Sequence, residues 1–307
     1  MGKIIDLMEA SRRETGVREH TPPGYDEPTF RQAKRPAAAG VIRLSDVLPE
    51  YSIDITSPIA AVVEHKAGQK APLSTAIMAN SRIVQAGARL VPVSEKLEPL
   101  RTERTGLVAW QSRAKRFSII DGAKFAAVDD GDNVITSELP IQSVDISLGD
   151  APSHGLRFEI DRSVLKRDGD AAVEIAVMTG LTLGLANLAD AVLLNAIKDS
   201  EPEAFTLGAA ASRGVRIGEL RAFVGTAGAG ATLEPHGILL AGGIPAELTG
   251  GIDATIIGSF ARAGVAMNDE VMVIVDRLSV TGRMAVSAWV NCQALLPDSS
   301  AFWTVSA

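Results

Sequence analysis

The chain has a single cysteine, Cys292, among its 307 residues. That excludes an intrachain disulfide and a metal site built from several thiolates. Histidine is nearly as scarce. His20, His65, His154 and His236 include no pair at a ligand spacing such as i, i+4, so no helix-borne metal site is spelled out. Aromatics make up only 4%, too few for a row of stacking platforms on single-stranded nucleic acid. There is no GxxxxGK[ST] loop and no GxSxG elbow. The glycine-rich piece GTAGAGATLEPHG holds Gly228 and Gly230 but no third glycine at the dinucleotide spacing, and it reads as a loop. No run approaches the ~18 apolar residues of a membrane span. The opening, MGKIIDLMEASRRETG, has too short an apolar segment for a secretory signal, and Asp6 stands where myristoylation wants Ser or Thr. The expectation is a non-enzymatic protein without cofactor or metal, made in the cytoplasm and not bound to membrane.

What is present is a core-forming chain, 46% hydrophobic and 22% charged. The net charge of -7 is unevenly spread. Residues 1–125 carry 19 Lys/Arg against 14 Asp/Glu, and residues 126–307 carry 11 against 23. An acidic chain is a poor binder of duplex phosphates. A basic front and an acidic back suit attraction between copies.

The N-terminal segment 1–50 reads as an arm. Ile4, Ile5, Leu7 and Met8 line one face of a short helix, and Pro22, Pro23, Pro28 and Pro36 then keep the chain extended. Residues 57–87 read as two helical pieces, started by Ser57-Pro58 and resumed from Ser74 to Gln85. Residues 88–122 alternate β-formers with Arg101, Arg104, Arg113, Lys115 and Arg116, which predicts a long exposed β-hairpin. A lone hairpin is marginal in water and needs a partner surface. Asp129, Asp130, Asp132 and Glu138 approach a calcium loop but lack its full twelve-residue pattern, so they read as a solvated turn at Asp130-Gly131.

The clearest element is a helix over 169–198, with Val173, Val177, Leu181, Leu185, Leu188, Val192 and Asn195 on one face. At 1.5 Å per residue it spans about 45 Å. Asp168 or Asp170 caps its start; Gly180 and Gly184 weaken it, and a close neighbouring backbone is one reason to keep them, chance another. Beyond it, GVRIGELRAFVGTAG and IPAELTGG read as helices and HGILLAGG as a buried strand. Two strands follow over VMVIVDRLSVTGRMAVSAWVNCQALL, joined at Thr281-Gly282, and SAFWTVSA closes as a short strand. Cys292 falls in an apolar strand, where a buried, inert thiol is the default. Without regular βαβ alternation, the class is α+β.

This order of parts resembles the major capsid proteins of tailed bacteriophages, the Hong Kong 97-like fold. The arm matches at 1–50. The stretch 88–122 looks like that family's extended loop, 143–197 like its peripheral domain with a spine helix, and 214–251 like its axial domain. The resemblance implies an organisation. Residues 1–87 are an arm with helical lead-in and 88–125 the extended loop. Residues 126–205 are the peripheral domain with spine helix 169–198, 206–270 the axial domain, and 271–307 the closing strands.

It also implies a virion subunit, assembled in the host cytoplasm as hexamers and pentamers in an icosahedral shell. The shell holds double-stranded DNA without sequence-specific binding. Portal, separate scaffold and decoration proteins are the expected partners. An encapsulin-like bacterial compartment shell shares the fold and is the alternative, with a soluble oligomeric α+β enzyme as a third reading. The extended loop of such subunits lies over a neighbour's peripheral domain. Here Trp110, Arg113, Lys115 and Arg116 are the expected contacts on one copy, and Asp129, Asp130 and Asp132 on the next.

Overall fold

The computed structural model describes residues 3–13, 37–46, 72–94, 98–101, 108–111, 115–123, 125, 127–128, 136–277 and 283–305. In chain order the elements are α1 (Lys3–Arg13), β1 (Ala37–Arg43), α2 (Leu73–Asn80), α3 (Arg82–Gln85), β2 (Arg89–Val93), β3 (Glu98–Arg101), β4 (Val108–Gln111), β5 (Lys115–Ile120), β6 (Ile141–Ile146) and β7 (Ser153–Ile160). After these come α4 (Arg162–Asp199), α5 (Leu207–Ser212), β8 (Arg221–Val224), β9 (Ala231–Leu233), β10 (Leu239–Ala241), β11 (Ile244–Leu248), β12 (Thr255–Gly258), β13 (Gly264–Asn268), β14 (Glu270–Arg277), β15 (Met284–Leu295) and β16 (Phe302–Thr304). Helices and mostly antiparallel strands are mixed without βαβ repetition, which is the α+β class expected. Ser57, Pro58 and the four arm prolines lie outside the described residues, as does the Thr281-Gly282 turn.

The chain divides into two compact units. The first comprises Met1–Asn80, Pro152–Ala186 and Asn268–Asn291, and the second Ser81–Ala151, Asn187–Met267 and Cys292–Ala307. In the first unit, β1, β14, the front of β15 and β7 form successive antiparallel ladders. Its strand β14 alternates, with Val271, Val273 and Val275 buried, as a half-covered sheet requires. α1 packs on this sheet through Ile4 and Met8, each 1% exposed. Leu7 sits over Gly40 of β1, where an added Cβ would come within 3.0 Å of it.

α4 is longer than the sequence reading, with a break where the glycine falls. Gly169 has φ 79°, a left-handed conformation that joins a short leading turn to the main helix. The residues after the break carry the expected stripe: Val173, Val177, Leu181 and Leu185 are buried. Beyond Leu185 the stripe departs from expectation. Ala189, Leu193 and Ile197 are fully buried, whereas Leu188 and Val192 are half-buried and Asn195 is exposed. Buried positions spaced by four advance about 40° per step on a 3.6-residue helix, so the stripe winds around α4 instead of staying on one face. The neighbours that Gly180 and Gly184 meet are side chains, not the backbone expected. They belong to β7: Phe158 Cζ would lie 3.2 Å and Leu156 Cδ2 3.7 Å from a Cβ added at each. One 18-residue window of α4 reaches a mean hydropathy of 1.6, enough by length and composition to cross a membrane, although the sequence reading found no such run. More than half of that window is buried inside the protein, as in a core helix.

The second unit holds a six-stranded sheet in the order β16-β12-β8-β11-β10-β9, in which only β8 and β11 run parallel. Two segments expected as helices are strands here. GELRAFVG forms one 3-10 turn and then β8, because Ala222, Phe223 and Val224 are all buried between β12 and β11. IPAEL forms β11, because Gly242 and Gly243, both at positive φ, turn the chain tightly back from β10. Tertiary burial overrides helix propensity at both sites. β14, β15, β10 and β16 match the strands expected.

Phe260 is fully buried between two rings in edge-to-face contact, Phe223 at 4.8 Å and Phe302 at 5.3 Å. A side chain at Gly258 would collide with Phe302, so glycine lets β12 run beneath that ring. Cys292 is 1% exposed on β15, and burial pushes its thiol up to about 12. Replacing Phe260 by Ala removes the middle ring of the three. Urea unfolding followed by circular dichroism should show a loss of about 3–5 kcal/mol. A loss below about 1 kcal/mol would mean that the aromatic cluster does not organise this unit.

Candidate assembly surface

The stretch expected as one long hairpin is divided. β2 joins β13 at a sheet edge, with Leu90 and Val93 buried. β3 and β4 form a short antiparallel ladder, Glu98 opposite Gln111 and Arg101 opposite Val108. β5 does not return to that ladder but pairs with β6, from Lys115 opposite Ile146 to Ile120 opposite Ile141. The reason is apolar. Phe117, Ile119, Val144 and Ile146 pack on Val93, Leu148, Ala266 and Leu295, giving the ladder a core of its own within the second unit.

Trp110 lies on β4 opposite Pro99. Arg113, Asp129, Asp130 and Asp132 lie outside the described residues. Lys115 and Arg116 open β5, and both are exposed. Lys115 Nζ donates to the Ser94 carbonyl at 3.3 Å. Arg116 Nε lies 2.6 Å from Asp145 Oδ1, directly across the ladder. Arg116 therefore has an acid within its own chain, a partner that the sequence reading missed. Two unlike charges on facing strands, 29 residues apart, give no short-range signal. Exposed pairs of this kind are worth ~0–1 kcal/mol, so Arg116 remains available to other partners.

The far end of the β5–β6 ladder is apolar. Ile120 is 72% exposed, Phe125 99%, Leu139 75% and Ile141 44%. Ile120 stands directly opposite Ile141, so these two exposed side chains end the ladder together. The root of this tip is fixed. Arg262 Nη2 reaches Asp121, just after β5, at 2.7 Å and Asp298, just before the last strand, at 3.1 Å. Partial burial alone would raise the Asp298 carboxyl. The Ser300 hydroxyl and N–H, with Arg262, outweigh that and hold it below the usual carboxylate range. The first unit carries a second exposed apolar row, in which Val41, Met272 and Trp289 stand opposite one another on β1, β14 and β15.

One buried polar cluster lies beneath the second unit's surface. Asp190, 4% exposed on α4, accepts from Ser81 Oγ at 2.6 Å and from the backbone N–H groups of Arg82 at 3.1 Å and Ile83 at 3.3 Å. It thereby satisfies the opening donors of α3. Arg82 in turn donates to the Leu248 carbonyl. Burial raises the Asp190 carboxyl above the usual range, and the three hydrogen bonds and the Arg82 charge lower it without cancelling that rise. Among the described residues, no group of three His, Cys, Asp or Glu side chains converges as a metal site.

No protein-family model and no curated protein matches this sequence. Solved structures do match. A chain of the capsid of a native GTA particle is 12% identical, with 73% of this chain and 90% of that one covered, at a TM-score of 0.43. The satellite phage P4 procapsid with its size determination protein gives 12%, 76% and 97%, at 0.45. The virus-like particle from Pyrococcus furiosus gives 13%, 76% and 98%, at 0.41.

Asp190 makes a pH-dependent prediction. With the folded-state pKa raised, its favourable contribution is complete below the unfolded value of about 3.9 and is lost as pH rises through the folded value. Wild type should therefore lose stability relative to Asp190→Asn as pH rises above about 4, as measured by urea midpoints. Asp190→Ala, which strands the Ser81 hydroxyl and two N–H groups, should cost roughly 1–3 kcal/mol.

Proposed function

We propose that this chain is a major capsid protein, a structural subunit of a virion that works by assembly and not by catalysis. It forms hexamers and pentamers that close into an icosahedral shell around double-stranded DNA. The observation that carries this reading is the apolar tip of the β5–β6 ladder. Ile120, Leu139 and Ile141 sit beyond a clamped root, and among the described residues they are exposed to water. A neighbouring copy is the partner that a repeating shell supplies at every position. The arm at 1–87, the loop at 88–125, the peripheral domain at 126–205, the axial domain at 206–270 and the closing strands at 271–307 are the organisation we assign to it. Portal, a separate scaffold and decoration proteins are its further partners.

Electron microscopy of the protein expressed with its neighbouring genes tests this directly. Closed shells, or rings of five and six, are the expected result, with nuclease-protected DNA in the filled particles. Small oligomers under every condition would overturn the reading, and shells filled only with protein would move it to a bacterial compartment.

We assign Trp110, Arg113, Lys115 and Arg116 to the contact with Asp129, Asp130 and Asp132 of the next copy. Replacing Arg113, Lys115 and Arg116 together by Glu should reduce shell yield at least tenfold in gradient sedimentation. Arg116→Asp combined with Asp145→Arg keeps the intrachain pair, and so separates loss of assembly from loss of the ladder. Normal shells from the triple variant would remove the charged contact from the account.

A further inference from the structure

The β5–β6 ladder is secured differently along its length. Phe117 is buried and packs, with Ile119, Val144 and Ile146, on Val93, Leu148, Ala266 and Leu295. Past that core, Ile120 and Ile141 face water. Asp121 follows, and its N–H closes the ladder on the Pro140 carbonyl at 2.9 Å. Among the described residues, the polar side-chain contact that ties this end to the rest of the second unit is the pair of Asp121 with Arg262.

The two acids on Arg262 are unequal. The Asp298 side chain is 13% exposed, accepts a hydrogen bond from Arg262 Nη2, and also accepts from the N–H and hydroxyl of Ser300, capping the 3-10 turn Ser299–Ala301. The Asp121 side chain is 35% exposed, and Arg262 is its one ion-pair partner among the described residues. Both acids meet the same nitrogen, while the buried Nε has no partner. Arg262 itself is rooted in the 3-10 turn Phe260–Arg262, beside the fully buried Phe260. When Asp121 withdraws, Asp298 still neutralises Arg262 and no buried charge is stranded. Withdrawal of Asp298 would instead undo a capped turn. We infer that Arg262 is a latch with a fixed half and a releasable half: the pair with Asp298 persists, the pair with Asp121 opens, and the Ile120–Ile141 end lifts about the packed Phe117–Val144 pair. The latch is a property of one chain. Its consequence rests on the assembly reading, because Ile120 and Ile141 belong to the surface assigned there to a neighbouring copy.

Amide hydrogen exchange on the full-length chain reads the latch directly. Asp121→Ala should speed exchange over residues 119–121 by about tenfold or more, with residues 116–118 and the urea midpoint unchanged. Sodium chloride at about 1 M, where the Debye length is about 3 Å, should do the same to wild type, because the more exposed pair is screened first. Arg262→Lys should keep the protection, since one nitrogen meets both acids, and Arg262→Met should lose it. Unchanged exchange in Asp121→Ala would overturn the inference. So would faster exchange at residues 116–118 with a lowered midpoint, because the ladder would then be unfolding as a whole. Gradient sedimentation of the same proteins keeps the two readings apart. A wild type that never forms shells, yet shows the expected exchange, would sink the assembly reading and leave the latch. Shells from wild type with no exchange response in Asp121→Ala would do the reverse.

Discussion

Two buried carboxylates on α4 fix where other helices begin. Glu174 holds the start of α1 in the first unit, and Asp190 holds the start of α3 in the second. Each satisfies backbone donors that would otherwise be stranded in an apolar interior, where an unpaired polar group is costly. Each is long-range in sequence, so the interaction forms only after the chain has folded back on the long helix. Around them the buried stripe of α4 winds by regular four-residue steps, with Val177 and Leu181 buried in the part that belongs to the first unit and Leu193 and Ile197 in the part that belongs to the second. One helix therefore carries both the hydrophobic and the polar organisation of each unit.

The elements legible in the sequence are those with strong local periodicity. The main run of α4, the apolar face of α1 and the strands β14 and β15 were readable from the sequence, whereas the left-handed break at Gly169 was not. The errors fell where tertiary context decides. Ala222 to Val224 have no β pattern to read, because every side chain is buried in a central strand, and a continuous apolar run reads equally well as helix. The sequence EL within IPAEL favours helix locally, yet the paired glycines before it turn the segment into β11.

The candidate surface was only half readable. Its polar members, Lys115 and Arg116, stood out by charge. Its apolar members, Ile120, Phe125, Leu139 and Ile141, did not, because exposure is a property of the folded ladder and not of residue type. The carboxylates behind the site were equally hidden. Among 37 acids, nothing in the spacing of Glu174 or Asp190 separates them from the solvated ones.

The lone thiol has a consequence for durability. With Cys292 sealed in β15 and its deprotonation pushed to about 12, the chain offers almost no thiolate at neutral pH. It can neither reshuffle bonds with glutathione nor form mixed disulfides without first unfolding. A protein built this way keeps the same covalent skeleton in a reducing cell and in aerated water, so moving between them leaves its cysteine unchanged.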